Sequence, residues 1–279
     1  MTAIPQKARR LRSQRSKKAL ALPITYLILF ASTLLLISVT YVFAVEQVNN
    51  RQQSFQTVTA QQDMTSLDNN ILSVMSTPGS AATLDFRDSG GQLNIEPSSN
   101  NLTLSITDNR QVSAIIFNAT TGQVVYDLPS AEAVETGFYI EGDYGTITNQ
   151  SGASLSQLYI SSGLQGPQIK LGFRPAVTYA AVGLDNGQVV NDIRIYIINL
   201  NSSDPLSLGG ELPLKISCVS TQLTTQTFDL LYQPGALTVT SQLNGFNGTV
   251  SVPISSTSAG SIINVQIVCS NITVEEGAP

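Results

Sequence analysis

The feature that most constrains this chain is a run near its N-terminus, from Ala19 to Val45, that contains no charged residue. The hydrocarbon core of a bilayer is about 30 Å thick, and roughly 20 apolar residues cross it as a helix. Tyr26 and Tyr41 stand near the two ends of the run, where amphipathic rings favour the membrane interface. The run therefore predicts a transmembrane helix over residues 20–45 and disfavours a buried core helix.

The charges on the two sides of this run are of opposite sign. Seven of the 14 Lys and Arg residues lie within the first 18 positions, whereas none of the 19 Asp and Glu residues precedes Glu46. Positive flanks stay in the cytoplasm. We therefore expect residues 1–19 to form a basic cytoplasmic leader and the chain after residue 45 to be extracellular. The leader contains no interleaved aromatic residue and adjoins an apolar run, so nucleic-acid binding is disfavoured.

Three kinds of anchor fit these observations: an uncleaved signal anchor, a secretory signal cut near Ala44, and a prepilin-type signal. The residues Lys17, Lys18, Ala19 and Leu20 resemble the archaeal prepilin-peptidase site, with cleavage after Ala19. The following LALPITYLILF is similar to the N-termini of archaeal type IV pilins and archaellins. Ile24 stands where bacterial pilins carry a Glu, which favours the archaeal type.

The helical pattern continues beyond the apolar run. Residues 46–76 contain no Gly or Pro, and Thr77-Pro78-Gly79 ends the stretch. Apolar residues recur there at mostly helical spacing. A helix over residues 20–78, with its part 46–78 packed on a β head, is the plan that the pilin resemblance implies; a plain stalk helix is the alternative. The head-facing residues would be Phe55, Val58, Leu67, Ile71 and Met75.

Short alternating segments replace the helical pattern after Gly79. They predict a first β-rich head over residues 79–183, similar in pattern to pseudopilin heads, and a C-terminal β-sandwich over residues 184–279. Asn186-Gly187 predicts a hairpin turn. The fold class is thus α+β, with a long N-terminal helix and an all-β ectodomain. The clearest alternating sets are Leu102/Leu104/Ile106, Ile193/Ile195/Ile197, Leu212/Leu214/Ile216/Cys218, Val250/Val252/Ile254 and Ile263/Val265/Ile267/Cys269.

The two cysteines, Cys218 and Cys269, both fall on positions that alternation turns inward. Outside the cytosol such a pair is expected to be oxidised. We therefore expect a disulfide, which would contribute roughly 4 kcal/mol in the chain-entropy model; two buried free thiols are the alternative.

The residue types argue against catalysis. The chain has no His, which excludes Ser-His and Cys-His nucleophile pairs and His metal sites. Its neighbouring acids lie in turn or tail segments, and no phosphate-binding Gly-Lys-Ser/Thr run occurs. We expect no catalytic residue, metal or cofactor.

Six Asn-x-Ser/Thr sequons are candidates for glycosylation, of which those near turns, Asn118 and Asn247, are the strongest; the full set is Asn101, Asn118, Asn149, Asn201, Asn247 and Asn271.

These observations favour a structural role. The pilin resemblance implies a major or minor subunit of an archaeal type IV pilus-like filament, assembled through its apolar helix. It also implies a prepilin peptidase, an assembly ATPase with its membrane platform, and like subunits as partners. The alternative is a single-pass membrane-anchored surface protein whose β modules act in adhesion or ligand binding.

Overall fold

The computed structural model describes residues 7–108, 110, 112–129, 135–149, 154–164 and 166–277, with only the helical backbone for residues 7–22. The chain forms two compact units, Met1–Ser54 and Phe55–Pro279. Among the described residues there is one long helix, α1, which spans Lys7–Val74 and contains Pro23. By length and composition, α1 is apolar enough to cross a membrane.

The remainder of the described chain is mostly β-strand, which confirms the α+β prediction. The strands are β1 (Ala81–Phe86), β2 (Gln92–Thr107), β3 (Ser113–Asp127), β4 (Tyr139–Glu141), β5 (Thr148–Asn149), β6 (Ser156–Ser162), β7 (Pro167–Phe173), β8 (Ala176–Asp185), β9 (Gln188–Asn199), β10 (Leu206–Gly209), β11 (Leu212–Leu230), β12 (Ala236–Leu243), β13 (Phe246–Pro253) and β14 (Ser261–Glu276).

These strands form two sheets. A six-stranded sheet has the order β1-β11-β14-β9-β8-β5. An eight-stranded sheet has the order β13-β12-β2-β3-β7-β6-β4, with β10 paired to β2. Most neighbours are antiparallel, but β14 with β9 and β5 with β8 are parallel pairs.

The strand order does not separate the two predicted β modules at residue 184. Strand β8 (Ala176–Asp185) crosses that boundary. Strand β1 pairs with β11, and β2 pairs with β12, so each sheet combines strands from both predicted modules. The prediction of two consecutive modules is therefore corrected. Alternation identifies a strand from its own residues, but it carries no information on which distant strand will supply the hydrogen-bond partner.

Two groups of buried apolar side chains lie within the unit Phe55–Pro279. The first cluster joins the last turns of α1 to strands of both sheets, and the second cluster also draws on both sheets but contains no residue of α1. Representative members of the first are Leu67, Phe86, Leu171, Ile216 and Val274, and of the second Leu104, Ile195, Val239, Val252 and Val265.

The turn predicted at Asn186-Gly187 is confirmed. Strands β8 and β9 pair up to Asp185 and Gln188, which leaves these two residues as the loop. Both have positive φ, 48° for Asn186 and 84° for Gly187. A two-residue hairpin loop with positive φ at both positions matches the right-handed twist of the strands, and Asn-Gly tolerates that conformation best.

Candidate functional site: the apolar helix and its buried continuation

The part of α1 from Ile24 to Val45 carries an apolar surface. Its large side chains are exposed, among them Leu27, Phe30, Leu35 and Phe43. Three of the hydroxyl side chains in this part bond within the helix. The hydroxyls of Ser32 and Thr33 donate to the carbonyl of Leu29 at 2.9 and 2.5 Å, and Thr40 donates to that of Leu36 at 2.7 Å. Hydroxyls satisfied by the preceding turn do not require water, so this surface suits lipid or another apolar helix.

The residues of the peptidase-like site, Lys17 to Leu20, belong to α1. Their side chains lie outside the described residues. The site therefore remains a sequence prediction.

The last turns of α1 present one face to the first cluster. Leu67 and Ile71 are fully buried there, and Met75, just beyond the helix, is partly buried, as expected. Phe55 and Val58 do not follow the prediction, because 71% and 47% of their surfaces are exposed. Ala60, Met64 and Val74 complete the buried face, and the sequence reading missed them. Ala60 and Met64 continue the helical spacing back from Leu67 and Ile71, and Val74 continues it forward, so that signal could have identified them.

Two buried carboxylates accompany this apolar face. Asp63 accepts three hydrogen bonds from Arg87, which follows β1: from Nε at 2.9 Å, from Nη2 at 2.6 Å and from the backbone N–H at 3.0 Å. The Asp63 side chain is almost buried, whereas that of Arg87 is half exposed. Both guanidinium donors bond to Oδ1 and the backbone N–H bonds to Oδ2, so both carboxylate oxygens are satisfied and the helix is fixed to the end of β1.

Asp68 is fully buried, and none of the ion pairs among the described residues includes it. Its Oδ1 accepts a hydrogen bond from Ser156 of β6 at 2.6 Å, and its Oδ2 has no hydrogen-bond partner. Burial raises the pKa of Asp68 to about 7; Ser156 opposes the shift, and the nearby carboxylate of Glu141 in β4 adds to it. Near neutral pH this carboxyl can therefore hold or release a proton inside the first cluster.

The cysteines do not form the predicted bridge. Cys218 and Cys269 are both buried free thiols. On the paired strands β11 and β14, Cys218 lies opposite Ile272 and Cys269 lies opposite Gln222. Cys269 and Ile272 are three positions apart on β14, so they point to opposite faces of the sheet. Cys218 belongs to the first cluster and Cys269 to the second. Both thiols point inward, as predicted, but each enters a different hydrophobic cluster.

The six sequons divide into two groups. Asn201 donates from Nδ2 to the carbonyl and hydroxyl of Thr120 at 2.7 and 2.9 Å, and the buried Asn271 donates to Ser220 at 3.0 Å. A glycan on either nitrogen would break these bonds. The other four are exposed: Asn101, Asn118, Asn149 and Asn247.

The two strongest candidates share a face of the eight-stranded sheet. Asn247 pairs with Gln242, Gln242 with Thr103, and Thr103 with Asn118, so all four lie in one row across the sheet.

Among the described residues, no group of three or more Cys, Asp or Glu side chains could hold a metal ion. Comparison of the chain with known protein families, with curated proteins and with solved structures finds no match.

Proposed function

We propose that this protein is a membrane-anchored, pilin-like subunit of a cell-surface filament, with the unit Phe55–Pro279 (the β unit) outside the cell. One observation carries the proposal. The same helix, α1, bears an exposed apolar surface over residues 24–45 and, at residues 60–74, supplies one side of a hydrophobic core. A plain anchor needs only the first property. A filament subunit needs both, because its helix must pack against like helices and also hold the head.

The mechanism follows from the two surfaces. The apolar part of α1 is stored in the membrane, where lipid contacts stabilise it. After removal of the leader, like helices pack against one another and replace lipid contacts with protein contacts. The pilin resemblance implies a prepilin peptidase for the first step and an assembly ATPase with its platform for the second. We further infer that the two sheets form the layers of a sandwich around the second cluster, and that exposed sequons carry glycans.

The decisive experiment is the intact mass of the native protein together with a matched pair of leader variants. The mature chain should begin at Leu20. The double substitution Lys17→Gln/Lys18→Gln should block processing and remove the protein from sheared, sedimentable filaments. Arg9→Gln/Arg10→Gln removes the same charge away from the site and should leave both unchanged.

Retention of residues 1–18 in native protein would contradict the filament proposal. The chain would then be a single-pass anchored surface protein. Exposed aromatic side chains on the β unit, Tyr144 and Phe246, favour this binding role as the second candidate.

A further inference from the structure

The outer face of the eight-stranded sheet contains a cleft of about 190 Å³. It lies over β2, β3, β7, β6 and β4, beside the turn that joins β12 to β13. None of the described residues that line it is charged. The lining combines aromatic rings with carboxamide side chains, a composition typical of binding sites for small polar ligands.

Gly172 of β7 forms part of the floor of this cleft. It pairs with Gln157 of β6. A Cβ atom built on Gly172 would meet no atom within 4 Å. A side chain at this position would therefore enter the open space above the strand and take up part of the cleft.

The polar groups of the cleft are partly committed to the protein and partly available. Nε2 of Gln157 donates to the carbonyls of Asp143 and Gly145 at 2.9 and 3.0 Å, which fixes the amide and leaves its Oε1 to accept from a ligand. The rings of Tyr139 and Tyr159 lie side by side, with centroids 5.2 Å apart and an interplanar angle of 37°. Their hydroxyls add further donors and acceptors.

The first of two exposed aromatic side chains at the rim is Tyr144, whose surface is 85% exposed. Its loop is held by the buried side chain of Arg174, which forms an ion pair with Asp143 and donates to the carbonyl of Gly145 at 3.1 Å. The hydroxyl of Ser241 in β12 also donates to the carbonyl of Thr146 at 2.9 Å. A buried guanidinium is costly to desolvate, so this loop is built to hold one shape.

The second exposed aromatic side chain is Phe246, whose surface is 73% exposed. It follows the turn Asn244-Gly245, in which both residues have positive φ. Asn244 bonds to β2 three times: Nδ2 donates to Asn100 at 2.6 Å, Oδ1 accepts from the Asn101 N–H at 2.9 Å, and its own N–H donates to the Asn101 carbonyl at 3.0 Å. Both rims are therefore preorganised, which lowers the entropy that binding has to overcome.

From this arrangement we propose that the cleft binds a neutral saccharide, with Tyr144 and Phe246 contacting the apolar faces of sugar rings and the carboxamides bonding to hydroxyl groups. A sugar hydroxyl both donates and accepts, and a carboxamide does the same, whereas charged side chains would favour ionic ligands. The volume lies below the ~300–1,000 Å³ of pockets for drug-sized ligands and suits the tip of a glycan.

A proline-rich peptide is the other ligand that aromatic grooves commonly bind. Its backbone offers mainly carbonyl acceptors, because proline has no N–H. The acceptor Oε1 of Gln157 would have no partner in such a complex. The observed lining therefore favours the saccharide.

The test uses the full-length chain in lauryldimethylamine oxide, since a maltoside detergent would itself present a sugar. Binding is measured by saturation-transfer NMR against the neutral oligomers maltohexaose, cellohexaose, mannohexaose and xylohexaose, with an alginate oligomer and a polyproline peptide as comparisons. At least one neutral oligomer should bind. Tyr144→Ala, Phe246→Ala and Gly172→Leu should each weaken that binding at least tenfold. Tyr179→Ala, which removes an exposed tyrosine from β8 of the other sheet, is the matched control and should leave it unchanged.

Each substitution is at an exposed or open position, so the thermal midpoint should not move, and loss of binding can be read directly. Absence of binding by every neutral oligomer overturns the proposal, as does binding that the three cleft variants leave intact or a preference for polyproline. Self-association that endoglycosidase treatment abolishes would identify the saccharide as an N-linked glycan of a like subunit. The outcome does not depend on whether α1 assembles filaments.

Discussion

The two hydrophobic clusters of the β unit are built on different principles. The first cluster packs residues of α1 against strands of both sheets, whereas the second contains only side chains of strands and their loops. The buried carboxylates among the described residues, Asp63 and Asp68, both lie on α1. The strand β14 presents one face to each cluster: Cys269 and its odd-numbered neighbours enter the second, and Ile272 and Val274 enter the first.

This difference shows where the helix matters. The first cluster is incomplete without α1 and contains groups that titrate or form ion pairs, so its stability should respond to helix substitutions, pH and salt. The second cluster is closed by strand pairing and should respond to none of these.

The strongest test places a charge on the buried face of α1. Leu67→Asp should lower the free energy of unfolding by about 4 kcal/mol or more, because an unpaired carboxylate would be buried among apolar side chains. Phe55→Asp, on an exposed position of the same helix, should change it by less than about 0.5 kcal/mol. Urea unfolding followed by near-UV circular dichroism of the tyrosines measures both.

If Leu67→Asp does not fold, Leu67→Ala provides the same comparison at a cost of about 2–5 kcal/mol. Equal effects at Leu67 and Phe55 would mean that α1 is a stalk and not part of a core.

The second prediction concerns pH. The pKa of Asp68 is raised to about 7 by burial, against an ordinary value of 3.8. The folded chain thus binds a proton that the unfolded chain has released between these values, so the free energy of unfolding falls as pH rises from about 4 to about 7. At roughly 1.4 kcal/mol per pKa unit, the loss is up to about 4 kcal/mol.

Asp68→Asn should remove this loss, because an amide keeps the acceptor for Ser156 and cannot ionise. The quantity to measure is the difference in unfolding free energy between Asp68→Asn and the unmodified chain from pH 4 to 8, which cancels the other carboxylates. That difference should rise with pH. Glu141→Gln removes the neighbouring carboxylate, so the pKa of Asp68 should be raised less in this variant. Its unfolding free energy should therefore fall with pH by an amount between those of Asp68→Asn and the unmodified chain. A pH-independent difference would place the Asp68 pKa at its ordinary value.

The same cluster shows what sequence could and could not predict. The helical period correctly identified Leu67 and Ile71 as buried, because the strands cover one side of α1 and every fourth or third residue meets them. The helical period does not indicate where along α1 the covering strands begin. The prediction that Phe55 and Val58 face the head was therefore wrong. Asp68 did not enter the apolar pattern because its side chain is a carboxylate, although it lies four residues after Met64 and three before Ile71; its partner in the core, Ser156, is distant in sequence.

Strand alternation had a similar limit. It correctly placed the inward residues of β9, β11, β13 and β14. It did not predict that β9 and β14 run parallel or that β1 pairs with β11. Alternation also could not predict the cleft at Gly172, because its aromatic and amide residues come from strands and turns that meet only after both sheets have formed.

The third prediction compares two ion pairs. Arg87→Ala should cost about 1–2 kcal/mol, because it removes the two guanidinium donors of the nearly buried Asp63 and leaves it only the backbone N–H. Lys215→Ala should cost less than about 0.5 kcal/mol, because both Lys215 and Glu275 are about half exposed. Both free energies are obtained from urea unfolding at pH 7. Equal costs for the two variants would mean that the Arg87–Asp63 pair stabilises the fold no more than the exposed Lys215–Glu275 pair.

The smallest expected effect is that of a reducing agent. Cys218 and Cys269 lie in different clusters, so neither thiol has the other within reach, and a reductant should leave the thermal midpoint unchanged. Burial raises the pKa of the Cys269 thiol to about 11, so little reactive thiolate forms at pH 8. Under native conditions both thiols should resist maleimide labelling, and two labels per chain should appear after unfolding without reductant. A chain that takes up no label when unfolded, and whose midpoint falls on reduction, would restore the disulfide and would require β11 and β14 to pair in a different register.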